Sequence, residues 1–300
     1  MTPPLDPRSE TIDPARRKLI AEGYCVLEDV LDADLLAEVR AVSAHALRGV
    51  SAVHRAQNRS QGSLINISDH PGYAALIANA GRRGLFARLG FADPCFSSGY
   101  LISKPPAGPP LFWHQDWWGW DDPLSYREEI AQVFFMYYLT DTTPRNGCLR
   151  VLPGSHRRRH ALHGAIQAHD VGLSRVENPD DPLYGSQEGE VPVPVRAGDL
   201  VVGDARLLHS AYGNDSEAER SLITLWYHPQ ISALPASMRA RIRAIFERRD
   251  VDTDPGGAEA MTLDDWPEAE RSLIAGLLPP PEPGIEPHRW NRMPDWHGPR

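Results

Sequence analysis

His114, Gln115 and Asp116 form an HxD triplet, and His209 stands far downstream of it. Two imidazoles and one carboxylate can occupy one face of an octahedral ferrous ion, leaving three positions for a co-substrate and dioxygen. On a strand, residues two apart point to the same side, so His114 and Asp116 are expected to reach one ion together. The turn, strand and turn over 195–208 would then deliver His209 to the same point. Arg220 begins the next apolar run. A guanidinium at the far end of a dry pocket suits a carboxylate, because its planar fork donates two parallel hydrogen bonds. A dicarboxylic keto acid is implied, its 2-oxo acid end on the metal and its distal carboxylate on Arg220. Any one of the chain's 12 histidines is most simply a side chain filling a polar niche. The ordered set is what points to an oxygenase.

These residues need a scaffold that brings distant segments together. The 300 residues, 41% hydrophobic and 24% charged, suffice for one large domain. Residues 14–22 read as a helix with Asp13 as N-cap, Pro14 at the first helical position and Gly23 as terminator. A strand is expected at 24–27. Leu35, Leu36, Val39, Val42 and Ala46 lie at helical spacing within 32–47. A short strand at 64–67, a helix at 73–80 and a second one closing at Gly90 follow. From residue 100 onward strands succeed one another at 100–103, 132–140, 148–152, 191–195, 200–203 and 222–228. The last of these is expected beside the strand that precedes His209. The run from Gln132 to Leu139 is apolar or aromatic at nearly every position, as a central strand covered on both faces would be.

The expected fold class is therefore α+β: a double-stranded β-helix, a cupin-like jelly-roll barrel, with flanking N-terminal and C-terminal helices. Residues 1–300 read as a single domain. Within it, 1–13 would be a flexible N-terminus, 100–229 the barrel core, 157–192 a polar loop insertion and 230–300 a helix with a Pro/Trp-rich tail. Trp266, Trp290 and Trp296 lie in that tail. Three such large apolar side chains imply that it wraps onto the body or onto a second copy in a homo-oligomer.

The residues also resemble the phytanoyl-CoA dioxygenase family of iron(II)- and 2-oxoglutarate-dependent oxygenases. The likeness runs through Gly23 to Leu31, Leu101-Ile-Ser-Lys-Pro-Pro106, His114-Gln-Asp116, Asn146-Gly-Cys-Leu149, Pro153-Gly-Ser-His156, Ala197-Gly-Asp-Leu200, His209 and Arg220. The resemblance implies iron held by His114, Asp116 and His209, and 2-oxoglutarate held by Arg220 with contacts from Tyr100 and Met136. It implies a dioxygenase that consumes O2, hydroxylates its substrate and releases succinate and CO2. Family members often carry a serine two residues after the distal histidine; this chain has Ala211, so that hydroxyl is absent or replaced by Ser210. Related halogenases replace the carboxylate ligand with a small residue, and Asp116 argues against that chemistry.

Phe112, Trp113, Trp117, Trp118 and Trp120 crowd around the triplet. They read equally as a seal on the barrel rim and as a substrate wall, with Gln115, Trp117, Trp118 and Arg206 the candidate substrate contacts. Lys104, Arg206 and the run from Arg157 to His160 are the positive groups near these motifs. Charge runs are usually solvated, and an acyl-CoA substrate is not carried over from the resemblance. The net charge of −9 opposes general affinity for nucleic acid or an anionic membrane, which leaves a small-molecule substrate. Cys25, Cys95 and Cys148 have no CxxC spacing, and no secretory pattern opens the chain, so a reducing cytoplasm is expected. Three rival readings use the same residues. Arg220 weighs against an iron enzyme that works without 2-oxoglutarate, and the intact triad against a non-catalytic small-molecule-binding protein on the same barrel. The missing general-base constellation weighs against a zinc hydrolase.

Overall fold

In the computed structural model, residues 12–164, 170–247 and 266–296 are described. The expectation of a flexible N-terminus falls, up to residue 11, outside them. Helix α1 (Pro14–Glu22) starts where the Asp13 carboxylate accepts the Ala15 N–H at 2.8 Å, and it ends at Gly23, whose φ of 88° is left-handed. A Cβ at Gly23 would also lie 2.6 Å from His156 Nδ1. Conformation and space thus both demand glycine there.

After α1 come β1 (Tyr24–Leu27), α2 (Ala33–Arg48), α3 (Ala52–Gln57), β2 (Ile65–Asn66), α4 (Ala74–Arg82) and α5 (Leu85–Arg88). Then follow β3 (Cys95–Lys104), β4 (Leu111–His114), β5 (Val133–Tyr138), β6 (Leu149–Val151), α6 (Val171–Arg175) and β7 (Val191–Val193). The chain continues through β8 (Leu200–Asp204), β9 (His209–Ala211), β10 (Arg220–His228), α7 (Ala236–Phe246) and α8 (Glu268–Ile274). The strands form two antiparallel sheets, ordered β1-β8-β5-β10-β3-β2 and β4-β9-β6-β7. This is the expected jelly roll with flanking helices.

Strand β5 shows why its sequence is apolar throughout. Phe134, Met136 and Tyr138 face the second sheet and pack with Leu149, Val151 and Val193, whereas Val133, Phe135 and Tyr137 face the helices and pack with Leu76, Ile77 and Tyr227. Both faces are covered, so the period of two survives only in which core each residue joins. One expectation about order is corrected. Strand β10 does not lie beside β8, the strand preceding His209; β5 separates them, pairing Tyr137 with Leu200 on one edge and Leu222 with Tyr138 on the other.

The insertion at 157–192 packs back on the barrel through its described residues. Trp113 Nε1 donates to Gly185 O at 2.9 Å, Arg150 to Tyr184 O at 2.7 Å, and Ser60 N–H to Ser174 O at 3.0 Å. The tail likewise lies on the body. Trp266 is buried in the main core with its indole N–H on Ser68 O at 3.1 Å. Cys25, Cys95 and Cys148 are buried and free. Among the described residues no helix is long and apolar enough to cross a membrane.

Candidate metal centre

Strands β4 and β9 place His114 directly opposite His209, with ring centroids 4.1 Å apart. Asp116 reaches them by a different route from the one its spacing implies. Strand β4 ends at His114, and the N–H groups of Asp116 and Trp117 both turn to Ala205 O, at 2.8 and 2.9 Å. That shared carbonyl, rather than strand periodicity, swings the carboxylate in. Asp116 Oδ1 then lies 3.6 Å from His114 Nε2, and Oδ2 lies 3.8 Å from His209 Nε2. One ligand atom from each residue falls within 4.8 Å of the others. Two ligands at right angles on a first-row metal, with bonds of roughly 2.1 Å, stand about 3 Å apart, so the three atoms would draw together around one ion.

The protonation pattern suits a cation. His114 Nδ1 lies 3.0 Å from Phe112 O, and His209 Nδ1 lies 3.0 Å from Leu207 O. A carbonyl only accepts, so each Nδ1 carries the hydrogen and each Nε2 presents a lone pair to the common point. Burial alone would raise the Asp116 pKa; His209 and His114 when protonated, the Trp226 indole N–H on Oδ2 at 2.9 Å and Arg292 outweigh it and hold the carboxyl below its usual range. Asp116 is therefore held ionised, the form in which a carboxylate could ligate a metal.

A narrow pocket leads from His209 between the sheets, past Met136, Leu149, Ala211, Leu222 and Thr224, to Arg220. Arg220 is only 2% exposed, and it makes no ion pair among the described residues. Burial depresses its pKa, opposed by Tyr138 and Cys148. Its Nε and Thr224 Oγ1 are buried without a hydrogen-bond partner among the described residues. Gly147, with φ 89°, passes its α-carbon over the guanidinium; a Cβ there would lie 3.5 Å from Nε and from Nη2. Lys104 closes the same end. Its ammonium is wholly buried and donates to Pro109 O at 2.6 Å and Tyr212 O at 3.2 Å. Burial, Arg220 and Arg150 push its pKa well below the ordinary lysine value.

Of the other expected site residues, Met136 lines this pocket, and Tyr100 sits across the ladder from Thr224 with its ring 5.9 Å from that of Trp226. Ser210 donates to Leu111 O and accepts from Arg150 Nε, so its hydroxyl is already engaged where Ala211 faces the pocket. Gln115 is buried and donates to Arg292 O at 3.2 Å. Trp117 and Trp118 stack at 5.1 Å within a core cluster that includes Met238 and Ile242. They pack the body rather than wall a substrate. Arg206 is also corrected: its five N–H donors go to Asp204, Ser125 O, Arg127 O and Glu129 O, leaving none for a substrate.

Three residues escaped the sequence reading: Thr224, Trp226 and Arg292. Counting by twos from Arg220 gives Leu222, Thr224 and Trp226, one face of β10, and that count would have found the first two. Nothing local marks Arg292.

The profile of the phytanoyl-CoA dioxygenase family matches residues 21–222. The chain is 30% identical over 145 residues to phytanoyl-CoA dioxygenase 1 of Oryza sativa subsp. japonica, a match covering 47% of each chain, so it spans about half of that relative's length. It is 25% identical over 226 residues to ectoine dioxygenase of Sphingopyxis alaskensis, covering 69% of this chain and 72% of that one. Among solved structures, the non-heme alpha ketoglutarate dependent carbocyclase SnoK from nogalamycin biosynthesis superposes with a TM-score of 0.54 at 26% identity, over 71% of this chain and 82% of that one.

Proposed function

The chain belongs to the phytanoyl-CoA dioxygenase family, among the iron(II)- and 2-oxoglutarate-dependent oxygenases, and from that premise we propose that it hydroxylates a C–H bond of a small metabolite. Iron is assigned to His114, Asp116 and His209, and the distal carboxylate of 2-oxoglutarate to Arg220. The single observation that carries this reading is the pocket joining the two: convergent ligand atoms at one end, and at the other a buried guanidinium with an unpartnered Nε. Such a buried cation, with Lys104 at the same end of the pocket, is costly unless an anion meets it.

When bound, iron and 2-oxoglutarate supply oxygen activation, in which the keto acid becomes succinate and CO2 while one oxygen atom enters the substrate. The chain's own residues aim and insulate. The Nδ1 hydrogens hold both imidazoles in the ligating tautomer, and the Trp226 indole orients Asp116. Arg220 and the Thr224 hydroxyl are placed to donate to the co-substrate, while Met136, Leu149 and Leu222 keep its methylene chain from water. Tyr138 beside them is held a neutral phenol by burial. Asp116 would hold the iron where a halide would otherwise have to bind. A free metabolite is favoured over a coenzyme A ester, because Arg206 is fully engaged and Arg157 is paired with Glu128. We read the chain as one oxygenase unit.

The test is succinate release by purified protein supplied with ferrous ion, 2-oxoglutarate and a metabolite panel under labelled dioxygen. One labelled atom should appear in succinate and one in the product. Asp116→Ala and His209→Ala should abolish both, and undiminished turnover in these variants would defeat the assignment.

A further inference from the structure

The tryptophan-rich stretch after His114 forms a floor for the end of the described chain. Asn291 N–H donates to Trp118 O at 2.8 Å, and Trp120 N–H donates to Asn291 O at 3.0 Å. Trp290 packs on Trp118 and Trp296 on Trp120, with ring centroids 6.1 and 5.9 Å apart. Gln115 fastens the Arg292 carbonyl from below. Between these fixings the Arg292 side chain turns inward. Its guanidinium lies 4.2 Å from the Trp290 ring, and Nη1 donates to the backbone carbonyl of Asp116 at 3.1 Å.

That carbonyl and the Trp117 N–H belong to one peptide unit. Ala205 O holds the N–H end, and Arg292 holds the carbonyl end. Asp116 lies past the end of β4, where no strand ladder fixes its backbone. Its orientation therefore depends on three elements: the turn at Ala205, Trp226 on β10 and the C-terminal segment. Residue 292 lies well beyond residue 222, where the family match ends.

We propose that Arg292 is a positioning residue for the metal centre, acting through Asp116, so that the C-terminal segment completes the active site. The proposal rests on the reading that His114, Asp116 and His209 hold the metal. Its sign is distinctive. A guanidinium acting on the ion only through charge would repel it, and its removal would tighten binding. A guanidinium that fixes the carboxylate ligand strengthens binding, and its removal loosens it.

The experiment uses the full chain with Mn(II) in place of iron and 2-oxoglutarate present, free Mn(II) being read by electron paramagnetic resonance. Arg292→Met should weaken Mn(II) binding roughly tenfold and broaden the bound-ion spectrum, with the thermal midpoint little changed because Trp290 and Asn291 still dock. Arg292→Lys keeps one donor and the ring contact, and should recover part of the loss; it also serves if the Met variant folds poorly. Wild-type affinity or tighter binding in both variants overturns the proposal alone. Failure of the wild-type protein to bind Mn(II) overturns the triad reading and the proposal with it.

Discussion

Replacing Arg220 by Met separates function from stability in opposite directions. The guanidinium is 2% exposed, unpaired by any described acid, and pushed down in pKa by its burial. Methionine fills a similar volume with no charge to desolvate, so the thermal midpoint measured without ligand should hold or rise. Binding of 2-oxoglutarate should collapse. Two hydrogen bonds between buried charged groups are worth about 3–4 kcal/mol, and at about 1.4 kcal/mol per tenfold the dissociation constant should rise by roughly two to three powers of ten. Calorimetric titration of the Mn(II)-loaded protein measures this. Pyruvate is the control, because it keeps the 2-oxo acid and lacks the distal carboxylate; both proteins should bind it alike. A fall in the midpoint of several degrees, or equal weakening for pyruvate and 2-oxoglutarate, would show that Arg220 supports the fold or the metal end instead, and would refute the anchor.

Other outcomes follow from the same contacts. Arg206→Ala strips the partner from Asp204, itself 1% exposed; a loss of about 3–5 kcal/mol is expected in urea unfolding, with the substrate KM of any protein that still folds unchanged. His228 donates from Nδ1 to Ala131 O, and burial lowers its pKa from 6.5 to about 4. The unfolded chain therefore takes up a proton near pH 6.5 that the folded one refuses until about pH 4, and stability is lost as pH falls through that window. At pH 5 this amounts to about 2 kcal/mol, at roughly 1.4 kcal/mol per unit, and His228→Gln should flatten the dependence of the urea midpoint between pH 7 and pH 5.

The elements and the candidate ligand set were legible because each rests on a local signal. Asp13, Pro14 and Gly23 bound α1, and the apolar run of β5 marks a strand buried on both faces. The HxD triplet and His209 are residue types with few other uses in that order. What stayed hidden depends on tertiary partners. Strands β4 and β9 have 4 and 3 residues, too short for any periodicity, and the turn that carries Asp116 is made by Ala205, 89 residues away in sequence. Arg206 and the tryptophans look the same in sequence whether they face a ligand or the core; only Asp204 and the carbonyls around Arg206, and Met238 and Ile242 around the indoles, decide it. Lys104, one of two lysines in the chain, gave no sign of standing at the closed end of the Arg220 pocket.

Main-chain carbonyls fix both imidazoles in advance of any ion, and this bears on which element ends up in the protein. A chelate built beforehand demands little rearrangement from its guest, so it discriminates poorly among divalent transition elements of similar size. By the general order of affinities, nickel, copper and zinc should each outcompete ferrous ion at equal concentration. Metal supply, rather than the cage, then decides occupancy, and preparations passed over nickel resin should arrive inactive until stripped and reloaded without air.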